Sequence, residues 1–192
     1  ICPATWTAVE SGGEASRPVI PRIVHFVYGM MAQAGPMPES VAIAVGMAHI
    51  VYFPARVMFH VSYTPLGVWW ERVKKLVEVH VHAIDAIATA QNRCLLHYAH
   101  RADVLRLRVL ERFGGVYLDT DVIALRPLPL NTSRFLIPWQ DSPAWSWRKG
   151  SLHYGMCNAV MASEPGSSAV RALLRNYGSF RSYGRDEFWD EH

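Results

Sequence analysis

Two aspartates separated by one residue, Asp119 and Asp121, are the residues whose types and spacing most clearly suggest chemistry. They follow an apolar run, residues 116–118, that is typical of a short buried strand. Because alternate residues of a strand share a face, the two carboxylates can converge on one ligand. Neighbouring carboxylates repel each other unless a proton or a cation lies between them. The pair therefore indicates a hard divalent cation, held by the carboxylates together with substrate phosphates.

The spacing of the aspartates leaves other interpretations open, because so short a pattern also arises by chance. It can be a solvated turn that carries two surface acids. It can also supply the nucleophilic aspartate of a phosphohydrolase, but that class of enzyme needs the motif after the first strand of its fold. Here the motif follows several predicted strands and helices, which counts against the phosphohydrolase.

A second pair of charged residues lies on the helix that we predict just before the aspartates. Apolar residues recur at helical spacing over residues 95–113, and Gly114 is a suitable residue to end that helix. Asp103 and Arg106 are three residues apart and so share a helical face. They form either an exposed ion pair or a polar pair that binds sugar hydroxyls and phosphate oxygens.

The remaining apolar runs alternate between strand and helix patterns. Strands are predicted at residues 23–28, 57–63, 77–81, 116–118 and 154–161, and helices at 40–48, 68–76, 95–113 and 168–177, with 123–125 extended and 83–90 ambiguous. This alternation predicts an α/β fold with a mostly parallel sheet flanked by helices. Ligands of such sheets bind beyond the carboxyl ends of the strands, where Asp119 and Asp121 lie.

Composition and length exclude several classes of protein. The formal net charge of +3 comes without a dense basic stripe, so we expect no nucleic acid partner. Three widely spaced cysteines form no Cys-x-x-Cys pair, which argues against a zinc or dithiol motif. Residues 40–55 lack formal charge but are shorter than the ~20 residues that span a membrane. We expect a polar lead-in over residues 1–19 and one domain over residues 20–192.

Histidine and tryptophan residues have structural interpretations as well as functional ones. His25 is interpreted as a buried core histidine on the first strand. His80 and His82 share a strand face but lack a third ligand nearby, so no zinc site is expected. Three tryptophans near the C-terminal third either pack in the core or a loop, or form a platform for an acceptor; they are Trp139, Trp145 and Trp147.

The helix and the aspartates together resemble a known family. Ala102-Asp-Val-Leu-Arg106, followed by Gly114-Gly-Val-Tyr-Leu-Asp-Thr-Asp-Val122, resembles the sugar-binding region of DXD-motif glycosyltransferases. The most similar group includes α-1,6-mannosyltransferases, α-1,4-galactosyltransferases and inositol-phosphoceramide mannosyltransferases. Residues 20–29, 65–70 and 157–161 are similar to further segments of that family, although Tyr28 stands where the family usually has Trp. The resemblance implies a GT-A-like, Rossmann-like fold.

The resemblance implies an activity as well. That activity is metal-dependent transfer of a hexose from a nucleotide-sugar donor, a UDP- or GDP-hexose, to a glycan or lipid acceptor, with retention of the anomeric configuration. The implied cofactor is Mn²⁺ or Mg²⁺, held by Asp119 and Asp121. The implied donor-binding residues are Tyr28, Asp103, Arg106, Tyr117 and Asp119. The sequence offers no obvious nucleophile, and no catalytic residue is assigned.

Location and completeness are further expectations from the resemblance. It suggests the Golgi or another secretory-pathway lumen, with membrane association through an anchor outside this chain. Asn131-Thr-Ser133 fits a glycosylation sequon and supports that compartment weakly. Family members continue beyond the position of His192, so we expect the domain to be truncated at its C-terminus. A non-catalytic nucleotide-sugar- or glycan-binding relative, or an inactive fragment, is therefore the alternative to an active enzyme.

Overall fold

The computed structural model describes residues 20–32, 35–87, 89–90, 93–141, 153–177 and 179. The strands are β1 Ile23–Tyr28, β2 Arg56–Val61, β3 Glu78–Val81, β4 Thr89–Ala90, β5 Arg93–Cys94, β6 Gly115–Leu118, β7 Phe135–Leu136, β8 Trp139–Asp141, β9 His153–Met156 and β10 Val160–Ser163. The helices are α1 Glu39–Tyr52, α2 Val68–Val73, α3 Ile84–Ile87, α4 Tyr98–Phe113 and α5 Ser168–Asn176. The predicted lead-in, residues 1–19, lies outside these ranges.

Six strands form the main sheet in the order β3-β2-β1-β6-β10-β7. β1 runs parallel to β2 and β6, and β2 runs parallel to β3. β10 is antiparallel to both of its neighbours, β6 and β7. Two small antiparallel pairs, β4-β5 and β8-β9, lie outside this sheet. The prediction of an α/β fold with a mostly parallel sheet is confirmed.

The sheet has a hydrophobic core on each face. Alternate residues of β1 and β6 point to opposite faces, so the two central strands contribute to both cores. On one face, Phe26 and Val116 pack with Val45 and other residues of α1. On the other face, Val27 packs with Leu110 and the rest of the apolar side of α4, and with α5. The helices therefore sandwich the strand ends that carry the aspartates.

Two consecutive glycines, Gly114 and Gly115, join α4 to β6 in a tight turn. Gly114 ends α4 with φ of 63°, and its N–H donates to the Leu110 carbonyl at 2.8 Å. Gly115 follows with φ of 101°, in the left-handed region that favours glycine. A side chain at Gly114 would come within 2.7 Å of the Pro165 ring. The chain can thus pass directly from α4 into the buried strand β6 only because both residues lack a side chain.

Several predicted boundaries were wrong. The expected strand over residues 154–161 is two strands, β9 and β10, because β9 pairs with β8 while β10 joins the main sheet. The predicted helix over residues 95–113 begins only at Tyr98, since the Leu95 carbonyl accepts from the Arg101 side chain rather than continuing a helix. Residues 123–125 form no strand, and the ambiguous stretch contains α3 and β4.

Other end points differ by smaller amounts. The strand predicted to reach residue 63 ends at Val61, and the helix predicted to reach residue 76 ends at Val73 in a turn. α1 is longer than predicted and ends at Tyr52. Within the described ranges, no helix is both long and apolar enough to cross a membrane. Cys94 and Cys157 carry free thiols, while Cys2 lies outside these ranges.

The glycine turn gives the first testable prediction. Gly115→Ala should lower the free energy of unfolding by at least about 1–3 kcal/mol, because its φ is positive and the new Cβ would overlap the Ile23 carbonyl. Urea denaturation measures the effect. Gly46→Ala, inside α1 with nothing within 4 Å of its Cβ position, is the matched control. It should raise stability by about 0.5–1 kcal/mol. Equal stability of the two variants would contradict the described turn.

Candidate functional site

The aspartate motif lies where the carboxyl end of β6 meets the start of β10. The Asp119 N–H donates to the Ala159 carbonyl at 2.8 Å, and the Asp119 carbonyl accepts from Val122 N–H at 3.0 Å. These bonds fix the backbone on both sides of the Asp119 side chain, which is 28% exposed. Asp121 is exposed to solvent. One carboxylate is thus held in place and the other can reach a ligand.

Arg106 on α4 joins the two predicted halves of the site. Its Nη2 lies 3.1 Å from Asp103 Oδ1 and 3.2 Å from Asp119 Oδ1. The side chains of Asp103 and Arg106 are each only 7% exposed, so the exposed ion pair allowed by their spacing does not form. The i,i+3 pair on the helix instead extends into a buried charge cluster with the motif aspartate.

The guanidinium of Arg106 has three further features. Nη1 donates to the Asn158 carbonyl at 2.8 Å. The guanidinium carbon lies 4.6 Å from the centre of the Tyr117 ring, over its face. Nε is buried and has no hydrogen-bond partner among the described residues. Buried donors are nearly always paired in proteins, so this N–H is a donor that a bound oxygen ligand would satisfy.

Two uncharged residues orient the carboxylates. Asn158 Nδ2 donates to Asp103 Oδ1 at 3.0 Å, in addition to its backbone contact with Arg106. The Tyr117 hydroxyl donates to Asp119 Oδ1 at 2.5 Å. Sequence reasoning assigned no role to Asn158, although it lies in a segment similar to the family. A polar residue within the run predicted as one strand, residues 154–161, was the available signal.

Burial and charge change the proton affinities of this cluster in opposite directions. Burial raises the pKa of Asp119, against the opposing effects of Arg106 and the Tyr117 hydrogen bond. Burial likewise raises the pKa of Tyr117 well above its usual value. Burial disfavours the charged form of Arg106, but Tyr117, Asp103 and Asp119 outweigh it and raise the Arg106 pKa. Arg106 therefore stays cationic, and Tyr117 stays a neutral donor.

Two cavities meet at Arg106. The first, about 530 Å³, has Tyr28, Tyr117, Asp119 and Asp121 in its lining. The second, about 340 Å³, has Asp103, Asn158 and Tyr177 in a largely apolar lining. Both volumes lie within the ~300–1,000 Å³ of ordinary small-molecule sites. All six residues predicted to bind donor or metal thus line one of two adjoining cavities. Arg106 lines both.

The two aspartates suit a cation that also contacts a substrate. Both described contacts of the Asp119 carboxylate end at Oδ1, from Tyr117 and Arg106, while Asp121 is exposed. Across the described ranges, no group of three or more histidine, cysteine, aspartate or glutamate residues could hold a metal by protein ligands alone. Ions such as Mg²⁺ are commonly coordinated by one or two carboxylates together with phosphate oxygens and water, and two aspartates at this position fit that preference.

Other predicted residues fall elsewhere. Trp139 lies on β8 and is 37% exposed, whereas Trp145 and Trp147 lie outside the described residues. His25 is completely buried, which confirms the core interpretation of that residue. The acceptor platform of three tryptophans stays a prediction.

Comparison with known proteins identifies the family. A family model described as "Glycosyltransferase sugar-binding region containing DXD motif" matches residues 39–141, more than half of the chain. The chain belongs to this family. The matched region contains both α4, with Asp103 and Arg106, and the aspartates after β6. It favours glycosyl transfer over the phosphohydrolase interpretation, and proteins of this DXD family generally bind a divalent metal.

Individual relatives agree with the family. Glucan organizing enzyme 1 of Cryptococcus neoformans var. grubii is 31% identical over 173 residues, covering 84% of this chain and 45% of the relative. Human alpha-1,4-N-acetylglucosaminyltransferase is 27% identical over 112 residues, 56% of this chain and 28% of the relative. Inositol phosphoceramide mannosyltransferase 3 of Schizosaccharomyces pombe is 35% identical over 80 residues, 42% of this chain and 20% of the relative. The chain spans less than half the length of these relatives.

A solved structure shares the fold. The chain titled "PaToxG Glycosyltransferase" superposes with a TM-score of 0.56 at 16% sequence identity, over 90% of this chain and 65% of that chain. This likeness shows a GT-A-like glycosyltransferase fold, as the sequence predicted.

The charge cluster generates the second prediction. Arg106→Met should lower the free energy of unfolding by about 3–5 kcal/mol at neutral pH, because two mostly buried carboxylates lose their cation. The loss should shrink at pH 4, because burial raises the pKa of Asp119 and protonation of that carboxyl relieves its repulsion with Asp103. Urea denaturation at both pH values measures it. Arg112→Met, an exposed change on the same helix, should cost less than about 1 kcal/mol. Equal losses for both variants would contradict the central position of Arg106.

Proposed function

We propose that this chain is the donor-binding domain of a metal-dependent glycosyltransferase that moves a hexose from a UDP- or GDP-hexose to a glycan or lipid acceptor with retention. The observation that carries the proposal is the position of Arg106. Its side chain lines both cavities, and its Nε–H has no hydrogen-bond partner within the part of the chain that the structure describes. A nucleotide sugar has two parts of different chemistry joined by a diphosphate. Two cavities joined at a buried cation suit such a ligand.

The larger cavity suits the nucleoside diphosphate. Asp119 and Asp121 lie at one part of its lining, and Tyr28 at the end of β1 forms another part. An aromatic ring can stack on a nucleotide base, since every base has a π-face. We assign the base to Tyr28 and the diphosphate to the aspartate end of the cavity. Tyr instead of Trp offers a smaller ring for this contact.

The smaller cavity suits the sugar. Asp103 and Asn158 provide polar groups in a lining that is otherwise largely apolar, with Leu107 and Met161 among the apolar residues. Sugars present hydroxyls at their edges and C–H groups at their faces, so a mixed lining of this kind is complementary to a hexose. Asp103 would accept hydrogen bonds from the sugar hydroxyls.

The cation would be held by Asp119 and Asp121, and we propose Mn²⁺ or Mg²⁺. When bound, such an ion supplies a Lewis acid that neutralises charge on a departing diphosphate. The buried contacts from Tyr117 and Arg106 fix Asp119 before any ligand arrives. Binding therefore does not have to pay for ordering this carboxylate.

The other residues of the cluster hold and orient the donor. Arg106 can donate through Nε to an oxygen at the junction of sugar and diphosphate, while its other nitrogens stay on Asp103, Asp119 and Asn158. Asn158 fixes the Asp103 carboxylate by a bond to Oδ1. The positive charge of Arg106 stabilises negative charge that develops on the leaving group. Because the guanidinium is already fixed, that stabilisation needs no rearrangement.

Retention without an assigned nucleophile implies that the acceptor attacks from the side on which the diphosphate leaves. Among the described residues, the carboxylate that lines the sugar cavity, Asp103, is engaged by both Arg106 and Asn158 at one oxygen. We therefore propose this internal-return course over a covalent intermediate. Mass spectrometry of the protein after donor treatment tests it, and a hexose adduct on Asp103 would overturn it.

Metal-dependent turnover gives the third prediction. The wild-type protein should hydrolyse or transfer at least one member of a panel of UDP- and GDP-hexoses with Mn²⁺ and lose that activity with EDTA. Asp121→Asn should reduce turnover by about 100-fold or more, because a ligand of the cation loses its charge. Asp85→Asn, an exposed change on α3, should leave turnover unchanged. Coupled detection of released nucleotide measures all three.

The same assay distinguishes the alternative function. Calorimetric binding of a donor without any turnover, in the wild-type protein with Mn²⁺, would favour a non-catalytic nucleotide-sugar-binding relative. Failure of every donor to bind would contradict both proposals. The names of the relatives refer to glucan, to N-acetylglucosamine and to inositol phosphoceramide, and this range of names supports a glycan or lipid acceptor.

A secretory-pathway lumen, such as the Golgi, is proposed as the compartment. The sequon residue Asn131 is exposed next to a turn in which the Thr132 hydroxyl donates to the Pro129 carbonyl at 2.9 Å. An exposed asparagine in a turn is accessible to a glycan. Protein secreted from a eukaryotic host should therefore lose apparent mass on endoglycosidase treatment, and Asn131→Gln should abolish that change. An unchanged mass in the wild-type protein would contradict the proposal.

A further inference from the structure

Three histidines form a hydrogen-bonded row between the sheet and α4, separate from the donor site. His25 lies on β1 and His60 on β2, and both are completely buried. His82 follows β3 and is half-buried. We call these three residues the histidine relay. No sequence pattern links the three residues, because they belong to different strands and lie far apart in the sequence.

The relay is continuous from a backbone carbonyl to the edge of the sheet. His25 Nε2 lies 2.8 Å from the carbonyl oxygen of Gly114. His25 Nδ1 lies 3.0 Å from His60 Nε2, and His60 Nδ1 lies 3.0 Å from His82 Nε2. The Phe113 ring stacks on His25 at 6.1 Å between ring centres. The inner end of the relay is therefore attached to the glycine turn that leads from α4 to the motif aspartates.

The Gly114 carbonyl decides where the protons lie. A carbonyl oxygen only accepts, so His25 Nε2 must carry a proton and donate. In a neutral imidazole the other nitrogen accepts, so His25 Nδ1 accepts from His60 Nε2. By the same step, His60 Nδ1 accepts from His82 Nε2. The neutral relay thus has one arrangement of protons, and His82 Nδ1 is the one ring nitrogen of the relay that neither carries a proton nor accepts a hydrogen bond within it.

This geometry limits how many protons the relay can gain. One added proton can sit on His82 Nδ1, and every hydrogen bond still contains a single proton. A second added proton has no vacant nitrogen outside the hydrogen bonds. It must place two N–H groups against each other at one of the two 3.0 Å contacts, His25–His60 or His60–His82. The folded relay therefore holds at most one extra proton.

The charged surroundings oppose even that limited uptake. Arg108 and Arg112 of α4 act on His82, and Arg56 of β2 acts on His25. His80 of β3 lies beside the relay, with its ring 5.2 Å from that of His60. Glu78 of β3 is the acidic residue near His80, at 3.9 Å, but it is already paired with Arg56 at 2.6 Å.

Burial has the largest effect on the inner histidines. It lowers the pKa of His25 to about 4 and that of His60 to about 2, with nearby histidines adding to the shift in both residues. Burial also lowers the pKa of His82, with further contributions from His80 and the two arginines. Both the geometry and the electrostatics thus keep the relay close to neutral in the folded protein.

We propose that His25, His60 and His82 form a pH-sensitive switch that holds the Gly114 turn in place at neutral pH and releases it in acid. Release occurs when the relay must accept a second proton. The two opposed N–H groups repel each other and push the imidazoles apart, which displaces His25 from the Gly114 carbonyl and frees the end of α4 from β1. Because that turn positions β6, the aspartates after β6 lose their fixed place with it.

The direction of the pH effect follows from proton counting. In the unfolded chain each histidine titrates near its ordinary pKa of about 6.5, so all three are protonated in mild acid. The folded relay gains one proton at most, so it binds at least two protons fewer than the same histidines bind in the unfolded chain. The contribution of the relay to the free energy of unfolding is therefore fully present above about pH 6.5. It is lost as the pH falls towards the pKa values in the folded protein, about 4 for His25 and about 2 for His60. A lag of two protons lowers the folding constant by about 100-fold per pH unit.

Urea denaturation between pH 6 and pH 4.5 tests the switch. In His60→Gln, the amide donates to His25 and accepts from His82, so the row of bonds is kept while one titrating group is removed. The folded variant then lags by one proton instead of two. Its folding constant should fall about tenfold less per pH unit than that of the wild-type protein. Comparing the two slopes removes the contribution of the acidic residues, which both proteins share.

Met58→Ala is the matched control, because Met58 is a buried neighbour on the same face of β2 and does not titrate. It should lower stability at every pH and keep the wild-type slope. A His60→Gln slope equal to that of the wild-type protein would overturn the switch. A Met58→Ala slope as shallow as that of His60→Gln would also overturn it, because destabilisation alone would then explain the change.

A measurement on the wild-type protein decides the matter if His60→Gln does not fold. Nitrogen-15 spectra of labelled imidazoles report which ring nitrogens carry protons. At pH 7 they should show His25 and His60 as neutral Nε2–H tautomers. On acidification, the three relay histidines should gain at most one proton in total before unfolding begins. A gain of two or more in the folded protein would overturn the proposal.

Discussion

The site depends on the buried positive charge of the Arg106 guanidinium. Arg106 lies on α4 between a carboxylate of its own helix and one that follows β6, and it also donates to the carbonyl of Asn158 in the turn before β10. Removing a charge from water costs several kcal/mol unless partners with good geometry replace the water. The helix, the parallel strand and the antiparallel strand must therefore meet within hydrogen-bond distance of a single guanidinium. This requirement explains why the surrounding backbone is so closely determined.

Two polar groups of the site, the Asp119 carboxyl and the Arg106 Nε–H, are placed where burial is unfavourable for them. Burial raises the pKa of Asp119 even though Arg106 and the Tyr117 hydroxyl stabilise its charged form, so ionisation of this carboxyl is less favourable than it would be in water. The buried Nε–H of Arg106 has no hydrogen-bond partner among the described residues. Under the proposed function, a cation would stabilise the ionised form of Asp119, and an anionic ligand would accept a hydrogen bond from the Arg106 Nε–H. Such unsatisfied groups are typical of binding sites formed before the ligand is present.

Sequence patterns predicted the parts of this molecule in which local chemistry decides the structure. Gly114 and Gly115 ended the helix as predicted, and the alternation of apolar runs predicted the parallel sheet. The strand order, and the split of one apolar run into β9 and β10, depend on pairing between distant segments and could not be read locally. The role of Asn158 could not be predicted for a related reason, because its hydrogen-bond partner Asp103 lies 55 residues away in the sequence. The buried setting of the Asp103 and Arg106 pair likewise depends on packing against the sheet.

The reversed direction of β10 has a consequence for how such domains diverge. Because β10 is antiparallel to β6, with Val160 opposite Leu118, the segment that leaves the site at Asp119 returns to it at Asn158. Its two ends are pinned to each other by the bond between Asp119 and Ala159. Lengthening a loop whose ends already meet adds little entropic cost. The segment between these two ends can therefore change in length and sequence while the residues of the proposed donor site keep their positions.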